Sequence, residues 1–192
     1  MGETLDEKIQ RVLKDKVEIV PYDLSWPACF HEERDRLLAF FPGLILRIEH
    51  VGSTSVPGLA AKPVIDLLIE VSSLDRAREE MPRILEDLGY DYFWRPSHGD
   101  DGPPFYAWFI RRDALGRRTH HLHCIEGDFS QWDWVCFRDY LIRHSEIAEE
   151  YSSLKQALAA EQSADRIAYT QAKGDFLRQH TLLAKAEADG FD

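Results

Sequence analysis

The sequence predicts an α+β fold: a mixed β-sheet flanked by helices, followed by a helical C-terminal segment. Three observations lead there. Two apolar runs of strand length, at 44–51 and 64–71, are separated by a loop rich in Gly, Ser, Thr and Pro. Strand-like and helix-like stretches are interspersed instead of grouped by type, which favours a sheet covered by helices. From about residue 131 onward, only helical spacing recurs.

Taken in order, the first sixteen residues hold a short helix at 3–15, with Leu5, Ile9, Val12 and Leu13 on one side. Residues 17–20 form a short strand ended by Pro21. Ser25 is placed to cap the next helix, with Pro27 in its first turn and Trp26, Phe30, Leu37 and Phe41 along its buried face. Pro42 and Gly43 stop it. The run 44–51 is a strand, and 64–71, apolar almost throughout, is a strand buried on both faces. Helical periodicity over 74–88 ends at Gly89. Strands follow at 90–95, 105–111 and 118–125. Between them, the Gly- and Pro-rich segment 96–104 is a loop, whose His98, Asp100 and Asp101 suit a mobile lid or plain disorder. Ile147, Tyr151, Leu154 and Leu158 repeat at helix spacing, and a last helix runs from about 164 to 187, so that 131–188 is a helical segment packed on the sheet. Without a repeat or a linker, 1–192 reads as one domain.

Composition narrows the function. With 44% hydrophobic residues, a chain of 192 residues builds its core without staples. No stretch approaches the roughly 20 apolar residues of a membrane span, and the charged N-terminus lacks the apolar run of a signal peptide. Cys29, Cys124 and Cys136 make no close pair, as expected of a reduced, cytoplasmic protein. Cys124 reads as a core residue. The formal charge of −11 and the lack of a basic run argue against nucleic acid as a partner. A small phosphorylated ligand stays open, because a site's field depends on its own residues.

The chemistry concentrates between the first two long strands. Gly52 allows close backbone approach to an anion, and Ser53, Thr54 and Ser55 add hydroxyl donors. Asp66, set among Ile65, Leu67 and Leu68, is costly unless paired or holding a metal. Lys62 is near enough to serve as its counter-charge or to contact phosphate. Donors around phosphates plus a carboxylate for Mg²⁺ are the parts of a phosphoryl-transfer site. The same residues also suit an ordinary loop that Asp66 caps by accepting backbone hydrogen bonds.

The stretch His50-Val51-Gly52-Ser53-Thr54-Ser55-Val56-Pro57-Gly58-Leu59-Ala60-Ala61-Lys62-Pro63-Val64-Ile65-Asp66 closely resembles the hallmark of the GrpB family (the UPF0157 group) of predicted nucleotidyltransferases. The resemblance runs over about 17–185. It takes in Tyr22-Asp23-Leu24-Ser25-Trp26, His121-Leu122-His123 and Phe137-Arg138-Asp139-Tyr140-Leu141. Near the end it adds Tyr151-Ser152-Ser153-Leu154-Lys155 and Tyr169-Thr170-Gln171-Ala172-Lys173. It implies a nucleotidyltransferase-like fold, Gly52-Ser53 as the phosphate-side signature and Asp66 as the first metal carboxylate. Similar domains fused to dephospho-coenzyme A kinases imply association with a kinase of that pathway. One departure stands out. The wider superfamily carries a second carboxylate two residues after the first, where this chain has Leu68; Glu70, on the same strand face, is about 13 Å from Asp66.

On a strand, His121 and His123 share one side, so they and Asp66 are candidate catalytic and metal-binding residues, with His50 or Glu49 close by. As plain hydrogen-bonders on a sheet face, the histidines would instead be structural. The ion is divalent, Mg²⁺ with Zn²⁺ or Mn²⁺ as alternatives. In the tail, Arg138, Lys155, Lys173 and Arg178 are candidates for a ligand phosphate. Lys155 and Lys173 each follow a tyrosine by one helical turn, and those tyrosines, Tyr151 and Tyr169, suit an interhelical core. The expected activity is transfer of a nucleotidyl group from a nucleoside triphosphate to a small acceptor. Alternatives are a non-catalytic nucleotide- or coenzyme-binding accessory module and a metal-dependent hydrolase.

Overall fold

The computed structural model describes residues 3–15, 17–97, 102–162 and 165–189. Its elements, in chain order, are α1 (Leu5–Lys14), α2 (Trp26–Phe40), β1 (Ile45–Val51), β2 (Ile65–Val71), α3 (Leu74–Leu85), β3 (Tyr90–Pro96), β4 (Phe105–Arg112) and β5 (Arg118–Ile125). Four helices follow: α4 (Asp133–Arg143), α5 (Ser145–Gln162), α6 (Arg166–Ala172) and α7 (Gly174–Asp189). The five strands form one sheet in the order β1-β2-β5-β4-β3. Only β2 and β5 run parallel; the other three pairings are antiparallel. A parallel neighbour needs a long crossover, and α3 with the β3–β4 pair supplies it.

Side-chain alternation divides the core in two. On one face, Leu67, Ile69, Leu122 and Phe109 pack against Leu37 of α2 and Met81 of α3. On the other, Val51, Leu68, Trp108 and Ile125 pack toward Phe129, Trp132 and Val135 at the start of the helical segment. The central strand β2 is therefore covered on both sides, as its continuous apolar run requires. Asp66 and Glu70 fall on the second face and interrupt it. Cys124 is fully buried on the first face with its thiol 3.8 Å from the Met81 sulfur. Among the described residues, no helix is long and apolar enough to cross a membrane.

Local chemistry moves three boundaries from their sequence-based positions and leaves one cap unmade. The strand at 17–20 shrinks to one bridge between Val20 and Ala61. Ser25 does not cap α2 with its side chain; its N–H instead donates to Asp23 Oδ1 at 2.8 Å. The helix over 74–88 ends at Leu85 and reaches Gly89 through turns, Gly89 taking φ +83°. The last helix breaks at Lys173–Gly174 into α6 and α7, and α7 lies along α4. His98, Asp100 and Asp101, weighed above as a lid, lie outside the described residues.

One polar chain closes the loop between β1 and β2. The Thr54 hydroxyl donates its single proton to the Val64 carbonyl at 3.2 Å, so His50 Nε2, 3.0 Å away, must be the donor to Thr54 Oγ1. The His50 ring stacks on Phe30 with centroids 4.7 Å apart. Burial pushes its pKa down to about 4, from an ordinary value of 6.5. The folded protein therefore excludes a proton that the unfolded chain takes up. This contribution is present above about pH 6.5 and is lost as the pH falls toward 4. Urea midpoints followed from pH 7.5 to 4.5 should fall less steeply on the acid side in His50→Gln than in the wild type. The variant should also lose roughly 1 kcal/mol at pH 7. Parallel acid limbs would remove His50 from the pH dependence.

Candidate functional site

The parallel register of β2 and β5 places Asp66 opposite His121 and Leu68 opposite His123. His121 Nδ1 lies 2.8 Å from Asp66 Oδ1, and His123 Nε2 lies 3.8 Å from the same oxygen. The proton in the first contact can be assigned. Arg118 Nη1 is 3.5 Å from His121 Nε2, and a guanidinium can only donate. Nε2 therefore accepts, Nδ1 carries the proton, and His121 donates to Asp66. Arg118 is held from the far side by the Asp15 carboxylate and the Val12 carbonyl, at the end of α1. Burial pushes the His121 pKa down to about 3, against the opposing pull of Asp66, so the imidazole is neutral at pH 7. Burial raises the Asp66 carboxyl, but the hydrogen bond from His121 and the nearby His123 ring outweigh it and hold Asp66 well below the usual carboxylate range.

Gly52 faces this carboxylate across the loop. Its φ of 72° and ψ of −177° lie in a region essentially reserved for glycine. A Cβ there would sit 2.5 Å from Asp66 Oδ2. Both the backbone and the neighbour thus demand a residue without a side chain. Next to it, Ser53 lines the cavity together with Tyr151, and Ser55 Oγ donates to the Gly52 carbonyl at 2.5 Å. Thr54, expected to present its hydroxyl to a ligand, spends it on His50 and Val64 and holds the loop instead.

In front of these residues opens a cavity of about 740 Å³ between the sheet, the loop and the helices α4 and α7. It continues into a smaller recess of about 130 Å³, and the two share Gly52, Ser53, Lys62, Asp66, His121, Tyr151 and Lys173. Lys62 and Lys173 flank one phenol ring, their ammonium nitrogens 5.8 and 4.5 Å from the centre of Tyr169. Lys155 lines the recess from α5, only 2% exposed, with its ammonium donating to the Ala60 carbonyl. Burial first, then the charge of Lys173, lowers its pKa to about 7. A protein of charge −11 thus gathers three lysines around one recess. Tyr151 and Tyr169 are both buried, as expected of the interhelical core.

The donor set fits a metal ion. One atom each of Asp66, His121 and His123 can be chosen so that all lie within 4.8 Å of one another. With both His121 nitrogens engaged by Asp66 and Arg118, the donors left for an ion are the Asp66 carboxylate and His123, and an N,O set suits Mn²⁺ or Zn²⁺ better than the all-oxygen preference of Mg²⁺. The other sequence candidates fall elsewhere. His50 turns to the α2 face against Phe30. Glu49 is taken by Arg138, which also binds the His50 carbonyl and Asp139 and so pins α4 to β1. Arg138 and Arg178 do line the large cavity, Arg178 in an exposed pair with Asp175. Glu70 pairs with Arg47, and Leu68 is fully buried. Sequence reasoning missed Arg118 and the aromatic row behind His123, formed by Tyr106, Trp108 and Trp134. The alternation of Tyr106 and Trp108 along β4 was the available signal. Gly52→Ala should cost roughly 2 kcal/mol or more in urea unfolding and weaken Mn²⁺ binding through the displaced Asp66. A variant of wild-type stability and affinity would show that the carboxylate does not need this close approach.

Comparison with known proteins places this arrangement in a family. Residues 16–182 match the family described as GrpB protein. The UPF0157 protein YqkA of Bacillus subtilis is 39% identical over 173 residues, which are 90% of this chain and 48% of that protein. The chain therefore spans about half the length of that relative. The crystal structure of the conserved protein GrpB from Enterococcus faecalis superposes with a TM-score of 0.77 at 30% identity, covering 89% of this chain and 99% of that one. A dephospho-CoA kinase of Mycolicibacterium paratuberculosis is 28% identical over 189 residues, 88% of this chain and 46% of that protein. By family match, relatives and fold alike, the chain belongs to the GrpB family.

Proposed function

We propose that this protein binds a nucleoside triphosphate in its cavity and transfers the nucleotidyl group to a small acceptor, with a divalent ion held at Asp66. The observation that carries this reading is the meeting of Asp66, His121 and His123 with a three-lysine recess across the Gly52–Ser53 turn. Lys62, Lys155 and Lys173, with Ser53, hold the terminal phosphates in the recess. Asp66 and His123 are the residues that would hold the ion, with His121 supporting Asp66 from behind. Bound there, the ion supplies neutralisation of the charge that develops on the phosphoryl oxygens. His121, with Arg118 behind it, keeps Asp66 ionised and aimed into the cavity. The acceptor's oxygen bonds to the α-phosphorus as the bond to pyrophosphate breaks, and the acceptor's proton passes to solvent.

A second reading, a nucleotide- or coenzyme-binding accessory module, is favoured by Leu68, which fills the usual place of a second carboxylate with buried apolar surface. The likeness to a dephospho-CoA kinase supports association with a kinase of that pathway.

Nucleoside triphosphates incubated with the protein and Mn²⁺ or Mg²⁺ should be consumed with release of pyrophosphate. Asp66→Asn should abolish that release and weaken Mn²⁺ binding at least about ten-fold, as read by electron paramagnetic resonance. Binding without release in the wild type would favour the accessory module, and an unaffected Asp66→Asn would defeat both readings. The pH dependence follows from Lys155. An anion stabilises its charged form, so phosphate binding takes up a proton, and affinity should fall as the pH rises above about 7. Lys155→Met should bind tripolyphosphate more weakly and with a flatter profile between pH 6.5 and 9. An equally steep profile in the variant would assign the titration to another group.

A further inference from the structure

We propose that Trp134 is the platform on which the ligand's flat heteroaromatic ring stacks, so that the wide end of the cavity selects a nucleotide over a bare polyphosphate. This inference rests on the phosphate reading of the recess and adds the chemistry of the ligand's other end.

Behind His123 runs a row of aromatic rings. Tyr106 and Trp108 lie nearly parallel to the His123 ring, with centroids 5.7 and 6.2 Å away, and Trp134 stands perpendicular to it at 5.0 Å. Tyr106, Trp108 and His123 are buried at 5%, 8% and 9% exposure, whereas Trp134 is 38% exposed. A large indole left this open is held in place by buried neighbours yet lacks a cover of its own, and it lines the large cavity. Trp134 comes from the first turn of α4, and Arg138, one helical turn later, locks that helix to β1 through Glu49 and the His50 carbonyl. The platform is therefore rigid, and rigidity lowers the cost of binding.

The position fits one ligand geometry. His123 touches Trp134 with its ring and faces Asp66 with Nε2, 3.8 Å from Oδ1. A single side chain thus separates the place of the reacting phosphate from the indole, about one nucleoside's length. Phe137 and Leu141, one and two turns along the same helix face, and Leu177 and Leu182 of α7 add apolar lining beside the indole. A flat ring laid on the indole also meets this apolar lining, and stacking of this kind tolerates any base because every base offers a π-face.

The test is calorimetric titration of the full chain with Mg²⁺-ATP and with Mg²⁺-tripolyphosphate. Wild type, Trp134→Phe and Trp134→Ala are compared, with circular dichroism melts to confirm folding. ATP should bind the wild type roughly ten-fold more tightly than tripolyphosphate. Trp134→Ala should erase that advantage and leave tripolyphosphate affinity within about two-fold, while Trp134→Phe retains part of it. If tripolyphosphate binds and ATP binds no better, or if Trp134→Ala weakens both ligands alike, the ring platform is wrong and the lysine recess survives. If neither ligand binds, the phosphate reading fails and takes the platform with it.

Discussion

The parallel pairing of β2 and β5 is the constraint on which the site depends. It sets Asp66 and His121 side by side on one face, with His123 a step further along. A carboxylate in the middle of an apolar strand would be costly if left alone. Here it receives a hydrogen bond from a buried neutral imidazole, whose other nitrogen accepts from Arg118. The donor sequence Arg118 to His121 to Asp66 keeps the carboxylate ionised. It also links the site to α1, because Asp15 and the Val12 carbonyl hold Arg118.

A second pairing, less regular, builds the opposite wall. The Gly52 turn stays within contact of Asp66 because His50, Thr54 and Val64 tie the two ends of the β1–β2 loop together. The most prominent histidine of the sequence motif is thus a loop fastener on the far face of the sheet. Its neighbour in the motif, Gly52, contributes by having no side chain. The helical segment then closes the space. Arg138 anchors α4, the break before α7 turns Lys173 toward the recess, and Lys155 enters from α5 with its charge weakened by burial.

The fold was largely legible in the sequence. The run at 64–71 announced a strand covered on both faces, and the strand at 118–125 was read with its observed limits. The shared side of His121 and His123 followed from alternation alone. What misled were short-range signals whose partners are distant in sequence. Ser25 sits at the cap position but in helical backbone geometry, so its hydroxyl makes no capping bond; residues 17–20 looked like a strand, but only Val20 found a partner, Ala61. Thr54 looked like a ligand donor because its bond to His50 is invisible until the loop closes. Arg118 and Trp134 carried no local pattern at all. Each matters through a neighbour brought to it from another element.

By itself, the sequence determined the α+β character, the strand positions and the residue types available for chemistry, because these rest on periodicities of two and 3.6 residues that need no distant partner. Tertiary structure alone decided which of those residues face one another. It chose the register that puts His121 rather than His123 against Asp66, the tautomer that Arg118 imposes, and the sheet face to which His50 turns. It also gathered three lysines, from a loop, a helix and the turn between α6 and α7, around one recess in an acidic protein. Such choices depend on pairing and packing between segments far apart in the chain, and hydrogen-bond partners exist only once those segments meet.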